Sequence, residues 1–103
     1  MKLEFYPEKK LKKEILKIVG KHLDLSKYRV FFFGSRVKGD NFPQADIDIG
    51  IEGPRPVSLE IMAKIKEEIS GLPILYHTDV IDFRQAEEDF RKVAKQNIEM
   101  ITK

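Results

Sequence analysis

The sequence predicts a small α/β or α+β domain in which helices pack on a sheet, with elements in the order α-β-α(turn)-β-α-β-α. Two patterns support this prediction: three segments have apolar residues at helical spacing, and three short runs of strand length lie between them. The chain has 103 residues, of which 42% are hydrophobic and 35% charged. We therefore expect one domain, 1–103, with a single core.

The first helix and the first strand are predicted at 8–23 and 28–33. The helical segment has residues on one face at spacings of three or four, namely Leu11, Ile15, Ile18, Val19 and His22. The run YRVFFF is apolar and aromatic and stops at Gly34, which is typical of a strand that is covered on both faces.

The second strand and the second long helix follow a turn. The segment DIDIGIE, 46–52, alternates with period two, as a strand does. Ser58 is expected to cap a helix that Gly71 and Pro73 terminate. The core side of that helix comprises Ile61, Met62, Ile65 and Ile69.

The C-terminal third predicts one more strand and one more helix. The segment HTDVIDF, 77–83, is the third strand, and the strand, helix and strand from 46 to 83 favour a right-handed parallel unit. The last helix is expected to run almost to the end of the sequence. Its apolar side comprises Ala86, Phe90, Val93, Ala94 and Ile101.

Composition excludes several classes of function. The sequence has no cysteine, which excludes disulfides, thiolate catalysis and Cys-ligated metals. The net charge of +2 argues against direct nucleic-acid binding through many phosphate contacts. No apolar run approaches the roughly 20 residues of a membrane span, and the charged N-terminus is unlike a secretory signal. We therefore expect a cytoplasmic protein with no membrane association.

Two aspartates in the second strand indicate a metal site. Residues two apart in a strand point to the same face, so Asp46 and Asp48 are expected side by side, with Ile47, Ile49 and Ile51 in the core. Two carboxylates at that separation repel each other unless a cation lies between them. Mg²⁺ prefers carboxylates, water and substrate phosphates as ligands. A pair of solvated aspartates on an exposed face is the alternative.

The loop between the first two strands favours a phosphate site over that alternative. Gly34 follows a strand directly, so a phosphate could approach the backbone and its N–H groups. Ser35 adds a hydroxyl, and Arg36 and Lys38 add positive charge. Phe42, in the same loop, either stacks on a base, contacts a partner or packs within the loop.

A third carboxylate is expected to complete a two-metal site for phosphoryl transfer. The third strand offers Asp79 and Asp82, which point to opposite faces because their spacing is odd. We choose Asp79 and keep Asp82 as the substitute, since Asp82 could instead cap the final helix.

The combined motif resembles the signature of the DNA polymerase beta-like nucleotidyltransferase superfamily. It consists of Gly34-Ser35, a gap of ten residues, Asp46-Ile47-Asp48-Ile49 and a later Asp79. With its loop GSRVKG, the chain is most similar to the minimal nucleotidyltransferases of the MntA type, which are antitoxins paired with HEPN-domain toxins. The resemblance covers residues 10 to 100 approximately.

This resemblance implies a mixed three-stranded sheet flanked by helices and an enzyme that transfers AMP from ATP to a hydroxyl, with release of pyrophosphate. Gly34, Ser35 and Arg36 would bind the triphosphate, and Asp46, Asp48 and Asp79 would hold two Mg²⁺ ions. The implied acceptor is a tyrosine of the HEPN toxin partner. Two alternatives remain, namely a non-catalytic antitoxin that masks its partner, and a nucleotidyltransferase that acts on RNA or a small molecule.

Overall fold

The structure is a computed structural model that describes residues 1, 3–39 and 45–102. Phe42 lies outside the described residues. The described elements are α1 (Glu8–His22), β1 (Arg29–Phe33), α2 (Ser35–Lys38), β2 (Ile47–Glu52), α3 (Leu59–Ser70), β3 (Thr78–Asp82), α4 (Glu88–Ala94) and β4 (Ile98–Met100). Among the described residues, no helix combines the length and apolar composition needed to cross a membrane.

The strands form one mixed sheet in the order β3-β2-β1-β4. The pairs β1/β2 and β1/β4 are antiparallel, whereas β2 and β3 are parallel and are connected through α3. The expected α/β class, mixed sheet and parallel unit are therefore confirmed. Ser58 caps α3 as predicted, because its Oγ accepts a hydrogen bond of 3.2 Å from the N–H of Ile61.

The expectation of three strands and a long final helix is wrong. The helix α4 ends at Ala94, and Ile98–Met100 form a fourth strand on the free edge of β1. An unpaired edge leaves backbone N–H and C=O groups without partners, and β4 supplies them. In this strand Ile98 and Met100 pack on one face of the sheet, while Glu99 on the other face lies 3.0 Å from Lys12 of α1. This alternation of period two favours a strand over the predicted helix.

The two faces of the sheet differ in their packing. One face meets α1 and α3 in the main core, which includes Ile47, Ile49 and Ile51, all fully buried as predicted. The other face, here called the aromatic face, carries Phe31, Phe33 and Phe83. The apolar run of β1 is therefore buried on both faces.

Gly50 makes the tight packing of the aromatic face possible. A Cβ atom at this position would lie 2.4 Å from the ring of Phe31 and 2.8 Å from that of Phe83. These two rings meet edge to face with their centroids 4.9 Å apart, a favourable aromatic geometry. Any side chain on Gly50 would push them apart.

We expect Gly50→Ala to lower the free energy of unfolding by about 1–3 kcal/mol, because the added methyl group overpacks the space against the rings of Phe31 and Phe83. Urea denaturation of both proteins measures this difference. The matched control is Gly71→Ala, since a Cβ there would meet only ordinary contacts of 3.5 Å to Glu67 and Glu68. Equal effects of the two substitutions would contradict the role given to Gly50.

Candidate active site

The turn after β1 is shaped by two glycines. Gly34 has φ of +85° and Gly39 has φ of +95°, backbone conformations that other residues rarely adopt. Between them, Ser35–Lys38 form a single helical turn, which closes when the N–H of Gly39 donates to the carbonyl of Ser35 over 2.9 Å. The sequence GSRVKG thus folds as one short helical turn directly after a buried strand.

Asp48 lies directly against this turn. A Cβ atom on Gly34 would lie only 2.3 Å from Oδ2 of Asp48, so the carboxylate occupies the space that a side chain would take. The absence of a side chain on Gly34 therefore serves two purposes. It permits the positive φ, and it lets a carboxylate and the backbone of the turn approach each other.

Three aspartates converge at this edge of the sheet. Asp48 and Asp79 are Cα partners in the parallel register of β2 and β3, and Asp46 directly precedes β2. Burial, together with the charges of Asp79 and Asp46, raises the pKa of Asp48 to about 6. The nearby His77, whose Nδ1 lies 3.5 Å from Oδ2 of Asp46, acts in the opposite direction.

Asp82 is engaged elsewhere. Its carboxylate is 8% exposed and accepts hydrogen bonds from the N–H groups of Val57, at 2.7 Å, and Arg84, at 3.0 Å. It pairs with Ile51, at the other end of β2 from Asp48. Asp82 therefore links the loop after β2 to the loop after β3 through these hydrogen bonds. It does not cap α4, whose N-cap is Glu87. The structure brings Asp79 to the acidic pair and leaves Asp82 away from it.

Arg36 is buried beneath the turn, with 3% exposure. Its Nε donates to the carbonyl of Ala45 over 2.7 Å, and its guanidinium lies 4.5 Å from the ring centroid of Tyr76. Arg36 thus holds the backbone that immediately precedes Asp46. Sequence reasoning assigned this side chain to phosphate and missed its contacts with Ala45 and Tyr76, which no local pattern reveals.

A cavity of about 450 Å³ opens beside the turn and Asp48. One wall is formed by residues of β1, the turn and β2, and the other by α4 and the residues after it. The lining residues are Phe33, Gly34, Ser35, Lys38, Asp48, Phe90, Val93, Ala94, Gln96 and Asn97. Sequence reasoning missed the second wall, for which the only signal was an apolar side on the last helix.

A larger cavity, of about 780 Å³, lies at the opposite end of β1 and β2. Its lining includes Arg29 and Glu52, but none of the clustered aspartates and neither Gly34 nor Ser35. Its one carboxylate, that of Glu52, is paired with Arg29 at 2.5 Å and Lys95 at 2.7 Å. The smaller cavity is therefore the candidate active site, because it alone of the two combines the turn with an unneutralised carboxylate.

The carboxylates fit Mg²⁺ only in combination with a ligand that supplies further oxygens. Within residues 1, 3–39 and 45–102, no group of three or more His, Cys, Asp or Glu side chains is arranged to hold a metal ion by itself. Mg²⁺ usually takes one or two carboxylates and completes its shell with water and substrate phosphates. Asp48, with a raised pKa and carboxylates as neighbours, suits that mode of binding.

Comparison with known proteins finds relatives of this chain in sequence and in fold. The chain is 32% identical, over 69 residues, to a probable protein adenylyltransferase MntA of Haemophilus influenzae; the match covers 67% of this chain and 60% of that protein. The fold matches a chain in the solved structure of a tri-AMPylated Shewanella oneidensis HEPN toxin in complex with MNT antitoxin, with a TM-score of 0.70, 16% identity and coverage of 92% of this chain and 71% of the other.

A second solved structure, a toxin–antitoxin with AMP-PNP, matches with a TM-score of 0.70, 18% identity and coverage of 87% and 71% of the two chains. The family model described as "Nucleotidyltransferase domain" matches residues 9–102, which is nearly the whole chain. With the turn, the paired strands and the aspartates in place, we conclude that the chain belongs to the nucleotidyltransferase domain family.

Proposed function

We propose that the chain is a Mg²⁺-dependent nucleotidyltransferase that transfers AMP from ATP to a hydroxyl group of a protein. The observation that carries this proposal is the position of Asp48, which lies against Gly34 on one side and pairs with Asp79 on the other. A site for phosphoryl transfer needs a backbone turn that binds phosphates, next to carboxylates that coordinate metal ions. The turn and Asp48 line the same cavity, and Asp79 is the neighbour of Asp48 across the strand pair.

In this proposal, the turn binds the triphosphate. The missing side chain of Gly34 lets phosphate oxygens reach the backbone, and Ser35 offers its exposed hydroxyl as a donor. Lys38, which also lines the cavity, adds positive charge. Arg36 is buried under the turn, and its positive charge would favour a bound triphosphate. It also keeps the segment before Asp46 in place through its hydrogen bond to the carbonyl of Ala45.

Asp46, Asp48 and Asp79 are the residues that would hold two Mg²⁺ ions. When bound, these ions would neutralise charge on the triphosphate and on the leaving pyrophosphate. Asp79 is exposed, so an acceptor hydroxyl can reach it. It would take the hydroxyl proton as the acceptor oxygen forms its bond to the α phosphorus and the bond to the leaving pyrophosphate breaks. The chain itself supplies positioning and no covalent nucleophile.

The proposed acceptor is a tyrosine of a HEPN-domain toxin, which would make the chain an antitoxin. The support is similarity to MntA and to the antitoxin in the Shewanella complex, both described above. The cytoplasm supplies ATP and Mg²⁺, and we place the activity there. An antitoxin that only masks its partner has no need for three clustered carboxylates, which favours the enzyme.

Transfer of label from nucleoside triphosphates tests the proposed function. The purified protein is incubated with Mg²⁺, each of the four triphosphates labelled at the α phosphate, and a lysate of its own host. We expect one labelled protein band, with ATP as donor. A labelled RNA or small molecule would show that the acceptor is not a protein. The absence of any label, despite intact partner binding, would favour the antitoxin that only masks its partner.

We expect Asp46→Asn and Asp48→Asn to abolish this transfer while the fold stays intact, because an amide cannot replace a carboxylate as a ligand of Mg²⁺ in this site. The same labelling assay and circular dichroism measure the two properties. Glu60→Gln is the matched control, since Glu60 lies on α3 with its side chain 80% exposed. Retained activity of either aspartate variant would contradict the assignment of that residue as a metal ligand.

In metal-free buffer, we expect Asp48→Asn to stabilise the protein at pH 8 by about 1–2 kcal/mol. The raised pKa means that ionised Asp48 destabilises the native state; a shift of roughly 2 units sets a ceiling of about 3 kcal/mol, which solvent screening reduces. The stability of the wild type therefore falls as the pH rises from about 4 through 6. The gain should vanish below about pH 4, where the carboxyl is protonated in both states.

Urea denaturation of wild type and variant at several pH values measures this difference. Asp24→Asn is a control of opposite sign, because the hydroxyl and the N–H of Ser26 both donate to Asp24 and lower its pKa. That variant should be less stable than the wild type near neutral pH. A loss of stability in Asp48→Asn at pH 8 would contradict the conclusion that burial and the neighbouring aspartates make the charge of Asp48 unfavourable.

A further inference from the structure

The second wall of the candidate active site exposes apolar side chains where a globular surface would normally be polar. No residue of α4 is buried, and its two large apolar side chains, Phe90 and Val93, are 43% and 66% exposed. Both line the cavity opposite Gly34 and Asp48. Apolar surface that borders a polar site is typical of ligand pockets, where a ligand covers it.

Phe90 is held in place although it is partly exposed. Its ring meets Phe33 edge to face, with centroids 6.0 Å apart and an angle of 89° between the rings, and it lies 5.8 Å from Phe83. The aromatic face of the sheet thus anchors the ring from beneath. An aromatic ring that is fixed on one side and open on the other can pack against a nucleobase.

Two side-chain amides follow α4 along the same wall. The backbone there closes on itself, because the N–H of Gln96 donates to Val93 over 3.2 Å and that of Asn97 to Ala94 over 3.4 Å. Both side chains are exposed and line the cavity. In the part of the chain that the structure describes, neither amide group has a hydrogen-bond partner. Each therefore offers an adjacent donor and acceptor to a ligand.

An amide is complementary to adenine in particular. Adenine presents an amino donor next to a ring nitrogen acceptor, and Asn or Gln can bind both atoms at once. The N7 and O6 edge of guanine presents two acceptors, which a cationic donor suits better. A cavity of about 450 Å³ falls within the range of small-molecule pockets, roughly 300–1,000 Å³.

We propose that the wall formed by Phe90, Val93, Gln96 and Asn97 binds the nucleoside of the donor nucleotide and selects adenine. The ring and Val93 pack against the base and sugar, and the amides of Gln96 and Asn97 recognise the amino group and a ring nitrogen. This inference rests on the proposed function, because it places the triphosphate of the same nucleotide on Gly34 and Ser35. The segment between α4 and β4 then sets the base preference.

Val93→Trp tests whether the nucleotide occupies the cavity. A larger side chain at this exposed position fills the space without disturbing the core, so we expect the KM for ATP and the Kd for MgATP to rise tenfold or more. Calorimetry gives the Kd and the labelling assay the KM. The matched control is Lys92→Trp, the preceding position of α4, whose side chain is 70% exposed and outside the cavity lining. It should change both constants less than twofold.

Gln96→Ala combined with Asn97→Ala tests the choice of base. We expect the preference for ATP over GTP in binding to fall about tenfold, as the loss of one bidentate contact to a base predicts. An unchanged preference, or a wild type that prefers another base, would overturn the assignment of adenine. The folded state of the variant is checked by its thermal unfolding.

Binding and transfer together separate failure of this inference from failure of the proposed function. If the wild type binds MgATP and Val93→Trp weakens binding, the nucleoside site stands even when no acceptor is labelled. If Val93→Trp binds MgATP as well as Lys92→Trp does, the inference is wrong even when transfer occurs. If the wild type binds no triphosphate at all, both proposals fail.

Discussion

The pairing of β2 with its two neighbours determines the geometry of the candidate site. Asp48 has Phe33 of β1 as its Cα partner on one side and Asp79 of β3 on the other. This row across the sheet places the end of β1, where Gly34 follows, next to two carboxylates. A slip of one residue would turn Asp48 into the main core and expose isoleucines of β2. Burial of these isoleucines therefore protects the arrangement of the acidic residues.

Asp48 and Glu52 of β2 lie on the same face of the sheet but differ in electrostatic environment. Although burial raises the pKa of Glu52, hydrogen bonds from Lys95 and Arg29 lower it below its usual value. Asp48 is also partly buried, but its neighbours are Asp79 and Asp46, and its pKa rises. Glu52 is thus a neutralised structural group, whereas the charge of Asp48 is unfavourable in the protein alone. Such uncompensated charge is common at functional sites.

Arg36 connects the parts of this site that are distant in sequence. It links α2 to Ala45, just before β2, and packs on Tyr76, just before β3. The hydroxyl of Tyr76 in turn accepts hydrogen bonds from the N–H groups of Glu4 and Phe5. A guanidinium suits this position because it keeps its charge and can donate in its plane while it stacks on a ring. Arg36 thereby holds the turn against the segments that precede β2 and β3.

The sequence by itself predicted α1, α3 and the first three strands, because hydrophobic period, helix caps and glycine positions are local signals. The motif of Gly34, Ser35, Asp46 and Asp48 also indicated the family, because it can be recognised from residue types and spacing alone. Only the tertiary structure decided that Asp79 joins the acidic pair, since the register between β2 and β3 is a contact distant in sequence. It also decided that Ile98–Met100 complete the sheet, because the strand forms only where β1 offers a free edge. The wall at Phe90 and Asn97 depends on that same pairing, which turns the chain back beside Gly34.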